Sequence, residues 1–288
     1  MHQPAAMLSP ETHDTFSAAG LDVSDVAAFR RDGFLICRWP LFAPAMLDRL
    51  RGIADAYVAE VAAGRRPADL NQPHFNDPRL FQFLLDGRAL DIAERLVGPD
   101  ILLWSSQFFC KPAISGRSVP WHADGRYWTN FIEPVQVVSV YIALDDQRVE
   151  NGCLRLLLGS HRRDVAFPYE RSGADANPFF PLGVPADKLD PAQIVEIELR
   201  AGEFVLFDRW LLHGSNANTS PDNRYSFTMR YAPTTCRVDA VSVRPVRRRI
   251  RSTIGFVRRK VQGRDIYRHR VYLVRGRDRA GNHYQPLP

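Results

Sequence analysis

RYSFTMRYA, residues 224–232, reads as a β-strand. Arg224, Ser226, Thr228 and Arg230 alternate with Tyr225, Phe227, Met229 and Tyr231, and side chains two apart on a strand share a face. One face is therefore polar and positively charged, the other apolar. Two readings fit: a half-exposed edge strand, or the wall of an interior that binds an acid. Arginine on a rigid strand suits the second, because its planar fork can pair with a carboxylate through two hydrogen bonds. Upstream lie EFVLF (203–207), IVEIEL (194–199), GCLRLLL (152–158), VQVVSVYIAL (135–144) and ILLWSSQFFC (101–110). All are rich in β-branched or other apolar residues and are separated by turn signals, which predicts an antiparallel sandwich or barrel.

The chain before Ile101 has a different texture. Residues 1–22 read as a loose leader, Ser24 is placed to cap a short helix ending at Gly33, and FLIC (34–37) is a short strand. Pro44 suits a first helical turn, and Leu47, Leu50, Ala54, Tyr57 and Val61 repeat at helical spacing. Two shorter helical stretches, 79–86 and 88–97, are separated by Gly87 and closed by Gly98-Pro99. The expected class is mainly β with flanking helices. Among the strands, residues 161–190 carry Pro168, Gly173, Pro178, Pro181, Gly183 and Pro185 without periodicity, as in a lid or substrate loop.

A length of 288 residues suffices for one elaborated domain, and 45% hydrophobic content excludes a disordered chain. No apolar run is long enough to span a bilayer, and the first residues lack the basic start and apolar stretch of a secretion signal. Cys37, Cys110, Cys153 and Cys236 form no CxxC pair and read as buried thiols, so a cytoplasmic location is expected. The net charge of +6 is concentrated near the C-terminus: Arg244 to Arg279 holds fourteen Arg or Lys against Asp265 and Asp278. The expected organisation is a leader (1–22), one domain (23–240) and a basic extension (241–288). The extension fits a solvated tail, a docking surface for an acidic carrier protein, or nucleic-acid contact, although no nucleic-acid module accompanies it.

The chemistry concentrates in two places. In Trp121-His122-Ala123-Asp124-Gly125, a strand would put the imidazole of His122 and the carboxylate of Asp124 on one side, toward one ion. HxD alone has little specificity and also describes a polar turn. A third ligand from elsewhere would complete a facial triad with positions open for a bidentate co-substrate and oxygen. The second place is AGEFVLFDRWLLHGSNANTSPDNRYSFTMRYAP (201–233), where an apolar strand ends near His213 and a hairpin leads to Arg224.

DGFLIC, KPA…WHADG, NGCL…GSHR (151–162) and the stretch from Gly202 to Arg224 occur in the order and approximate spacing of a known family. From about Gly33 to Pro233 the chain resembles the phytanoyl-CoA dioxygenase family of Fe(II)/2-oxoglutarate-dependent oxygenases. The resemblance implies a double-stranded β-helix, a cupin-like jelly-roll barrel. It implies His122, Asp124 and His213 as iron ligands, Arg224 with Ser215 on the far carboxylate of 2-oxoglutarate, and O2 as the oxidant. Lys111, Gln107 and Trp128 are further cofactor-pocket candidates. An intact Asp124, which halogenase relatives replace with Gly or Ala, implies hydroxylation or desaturation of an aliphatic carbon in a small molecule.

The substrate expected is a small molecule, anionic or tethered to a carrier protein; the sequence is silent on oligomeric state. Three rivals remain at this stage: a non-catalytic barrel that senses a ligand, a nucleic-acid-modifying oxygenase using the basic tail, and a zinc hydrolase. The last leaves Arg224 without a role. Arg126 and Arg230 could face the cavity and pair with an anionic substrate, His161 reads as structural, and His74 reads as a surface residue, with a place at a substrate entrance as the alternative.

Overall fold

A computed structural model describes residues 20–64, 70–162, 167–173, 180–238, 242–243, 257–261 and 264–288. The expected leader falls almost wholly outside them, as does much of the basic stretch. The first helix, Val23–Asp32, is capped by Asp22 and not by Ser24. The Asp22 carboxylate accepts from the Asp25 backbone in a capping box, and Ser24 Oγ donates to it at 2.6 Å. A carboxylate is the stronger acceptor for the free amides of a helix start, so the earlier residue takes the cap. The Pro44–Ala62 helix begins at its proline, and Gly87–Val97 begins at the glycine with Asp86 as its cap.

The strands form two main sheets. In the larger, the order is Phe34–Cys37, Phe204–Asp208, Val138–Ala143, Arg224–Pro233, Ile101–Lys111 and Tyr272–Arg275, antiparallel throughout. The smaller runs Val119–His122, His213–Ser215, Leu154–Leu157 and Ile194–Ile197. Tyr141, Val205 and Phe207 of the first sheet pack with Leu154 and Leu156 of the second, while Val140, Leu206, Phe227 and Tyr231 pack with residues of the helices. Helices thus cover one face of the large sheet and the small sheet covers the other, giving the cupin-like jelly roll.

Arg224–Pro233 is a central strand, buried along its whole length. The edge-strand reading is thereby overturned: the apolar face meets the helices and the arginine face looks between the sheets. Within the basic stretch, Tyr272–Arg275 forms the outer strand of the large sheet, and Arg275 pairs with Asp91 and Glu94. The described parts of 161–190 lie against the HxD strand, with Val184 N donating to Trp121 O at 2.8 Å. All four cysteines are free, and among the described residues no helix is long and apolar enough to cross a membrane.

Gly152, in the turn before Leu154, has φ +74°, and a Cβ there would collide with the Asn216 carbonyl oxygen. Its own carbonyl accepts from Arg224 Nη2. Gly152→Ala should therefore cost about 1–3 kcal/mol, lowering Tm by roughly 2–10 °C. A thermal melt matching the wild type would show that the turn relaxes freely.

Candidate metal centre

His122 ends one strand of the small sheet and His213 begins its neighbour, and the two are direct cross-strand partners. Adjacent antiparallel strands bring such partners within contact distance, and the ring centroids lie 4.2 Å apart. Each imidazole makes the same bond two residues back along its own chain: His122 Nδ1 to Pro120 O at 2.8 Å, and His213 Nδ1 to Leu211 O at 2.9 Å. A carbonyl can only accept, so each Nδ1 carries the proton and each Nε2 presents a lone pair. Burial, and after it the nearby His122, pushes His213 down to about 3, keeping it neutral at physiological pH.

Asp124 reaches this place differently from the sequence expectation. The strand stops at His122, and Asp124 is the first residue of the turn leading into Gly125–Trp128, with φ −54° and ψ −43°. A turn, not strand alternation, therefore aims the carboxylate. Gly125 donates its N–H to Arg209 O at 2.7 Å, and a Cβ at this position would press on the Trp210 ring, so any larger residue there would force the turn or the ring to shift. Burial opposes ionisation of Asp124, but Arg230 and the two histidines hold the carboxyl well below the ordinary range. One ligand atom each from His122, Asp124 and His213 lies within 4.8 Å of the others, and all three residues are buried. Two bare imidazole nitrogens and a carboxylate converging this closely fit a divalent metal of the facial-triad type.

The adjoining cavity is lined by Gln107, Lys111, Arg117, Tyr141, Ser215 and Arg224, among others. Arg224 is only 2% exposed, which matters because no carboxylate pairs with it among the described residues. Its Nη1 donates to Tyr141 Oη at 3.0 Å, its Nη2 to Gly152 O, and its Nε is buried without a hydrogen-bond partner. A buried guanidinium lacking a counter-ion is costly, and an anion entering the cavity would offset that cost. Lys111, the cross-strand partner of Arg224, donates to Asn216 O at 2.7 Å; burial, aided by Arg224, pulls its ammonium down to about 6.

Other candidates fall elsewhere. Trp128 packs with Trp104 in a core cluster and lies 5.4 Å from the Arg230 guanidinium, without lining the cavity. Arg230 does line it, but its Nε is held by Asp124 at 3.1 Å. Arg126 sits over the Tyr169 ring. His74 is buried against Ser106, Phe75 and Tyr272, not at the surface. His161 stays out of the site, yet its neighbour Ser160 accepts from Leu212 N at 2.8 Å and so steadies the approach to His213. The sequence reading missed Tyr141, the Arg230–Asp124 pair and Phe180, whose ring lies 4.3 Å from that of His122. Only strand register could have found the first two; no local signal marks Phe180.

A model of the phytanoyl-CoA dioxygenase (PhyH) family matches residues 29–226. The chain belongs to this family. It is similar to the ectoine dioxygenase of Bordetella parapertussis, 26% identical over 235 residues, covering 74% of this chain and 76% of that protein. The structure of the apo non-heme monooxygenase ThoJ superposes with a TM-score of 0.68 at 24% identity, over 92% of this chain and 88% of that one. EctD from S. alaskensis, solved with 2-oxoglutarate and 5-hydroxyectoine, gives a TM-score of 0.63 at 24% identity, over 81% of this chain and 83% of that one. These structural likenesses establish the shared fold.

His122→Ala and His213→Ala should each abolish retention of one divalent metal through gel filtration while leaving the far-UV circular dichroism unchanged. Both variants holding metal as the wild type does would remove the histidines from the ligand set.

Proposed function

We propose that the protein is an Fe(II)/2-oxoglutarate-dependent oxygenase that hydroxylates or desaturates an aliphatic carbon of a small molecule. The observation that carries this reading is a buried His/Asp/His cluster whose two histidines line the same cavity as a buried Arg224, which no carboxylate pairs with among the described residues. Family membership supports it, as do relatives named dioxygenases. His122, Asp124 and His213 would hold the iron, and Arg224 with Ser215 would hold the distal carboxylate of 2-oxoglutarate. Bound there, iron with 2-oxoglutarate and O2 supplies the oxidation of a C–H bond.

The protein's own residues orient and enclose. Pro120 and Leu211 fix the imidazole rotamers through Nδ1. Tyr141 and Gly152 anchor the guanidinium of Arg224, so the co-substrate meets a donor already in place. Phe180 lies on His122, and Tyr169 Oη accepts from Ala123 N at 3.0 Å, so described residues of the 161–190 insertion cover the segment between the candidate ligands. Every charged cavity-lining residue other than the candidate ligands is basic, and Arg117 is exposed among them, which favours an anionic substrate, free or carrier-tethered. Arg117→Ala should then raise KM for acidic substrates and leave neutral ones unaffected; equal effects on both would remove this preference.

Anaerobic addition of Fe(II) and 2-oxoglutarate should produce the weak visible charge-transfer band of a chelated iron centre, and its absence would sink the proposed function. Arg224→Ala should raise the 2-oxoglutarate requirement roughly thirty- to a thousandfold, the equivalent of about 2–4 kcal/mol for a lost charged, bidentate pair, with iron binding nearly intact. An unchanged requirement would move the anchor to another residue.

A further inference from the structure

The two oxygens of Asp124 have different surroundings. Oδ1 lies 3.7 Å from His122 Nε2, on the side where the ligand atoms converge. Oδ2 lies 3.1 Å from Arg230 Nε, the two side chains being only 7% and 4% exposed. Asp124 makes no side-chain capping bond to the turn it begins, so its own backbone does not hold the carboxylate. Arg230 is itself rigidly placed. It stands on the central strand between Ser105 and Ser139 of the neighbouring strands, with its guanidinium beside the Trp128 ring.

We propose that Arg230 is a positioning residue that occupies Oδ2 of Asp124 and thereby leaves Oδ1 as the single oxygen offered to the metal. The inference rests on the metal reading above. An unrestrained carboxylate can turn and offer both oxygens, taking up a coordination position that a bidentate co-substrate needs. A guanidinium fixed on one oxygen prevents this and also compensates the buried charge of the metal-free site. The role is separate from contact with an anionic substrate, because it uses the Nε–H and not the two terminal amino groups of the guanidinium. Trp128 then acts at one remove, as the surface against which Arg230 rests.

The test is Co(II) titration of the full chain, following affinity and the visible d–d absorption, whose intensity and position report coordination number and geometry. Arg230→Gln should weaken Co(II) binding about 10–100-fold, the usual consequence of removing a partner that orients a ligand, and should alter the d–d band. Arg230→Lys should recover part of both. Because Arg230 acts through Asp124, adding Arg230→Gln to Asp124→Asn should weaken binding no further than Asp124→Asn alone. If Arg230→Gln does not fold, Arg230→Met, which keeps an unbranched stem against Trp128, makes the same comparison. Folded Arg230 variants with wild-type affinity and spectrum, or additive losses in the double variant, overturn the inference and leave the metal reading standing. A wild type that binds no Co(II) overturns both.

Discussion

Two imidazoles with centroids 4.2 Å apart in a buried interior need partners for their Nδ1 protons, so that their Nε2 atoms can converge on a common guest. The structure meets that demand with backbone alone. Pro120 O and Leu211 O each take an Nδ1 proton, and cross-strand pairing of His122 with His213 sets the rings side by side. Everything around the site serves this pairing. Ser160 holds Leu212 just ahead of His213, and Val184 holds Trp121 just ahead of His122. Gly214 lets the two strands close together, since a Cβ there would press on Val119 O.

The charge pattern follows from the same arrangement. Positive groups line the cavity through Arg117, Arg224 and Arg230, and the carboxylate of Asp124 engages only the last. Arg230 is thus matched within the protein, whereas Arg224 is hydrogen-bonded to neutral groups and has no counter-ion among the described residues. Two arginines six residues apart on one strand therefore take different work. The difference arises from the strands and turn opposite each, not from the arginines themselves.

Much of this was legible in the chain. Alternation over 224–231 marked the strand and its arginine face, and the HxD triplet, His213 and Arg224 followed in an order that a family resemblance made specific. Other features were hidden because they depend on contacts distant in sequence. Asp124 and Arg230 are 106 residues apart, and Arg224 and Tyr141 are 83 apart. The placement of Asp124 on a turn escaped the period-two argument because that argument assumes the strand continues past His122. His74 was read as exposed from its polar neighbours, yet the loop that carries it folds over Ser106 and Tyr272.

By itself the sequence determined the class of the fold and the presence of a cation suited to an acid, because periodicity and residue chemistry are local properties, and the family resemblance singled out the His122, Asp124 and His213 that converge in the candidate metal cluster. Tertiary structure decided which strand lies at the centre, which arginine faces a carboxylate, and that Trp128 packs in a core cluster beside Arg230. It also decided that Tyr272–Arg275, deep in a basic stretch, closes the edge of the large sheet against Ile101 and Leu103. Register and burial are set by the packing of distant segments against one another, and no window of sequence contains both partners.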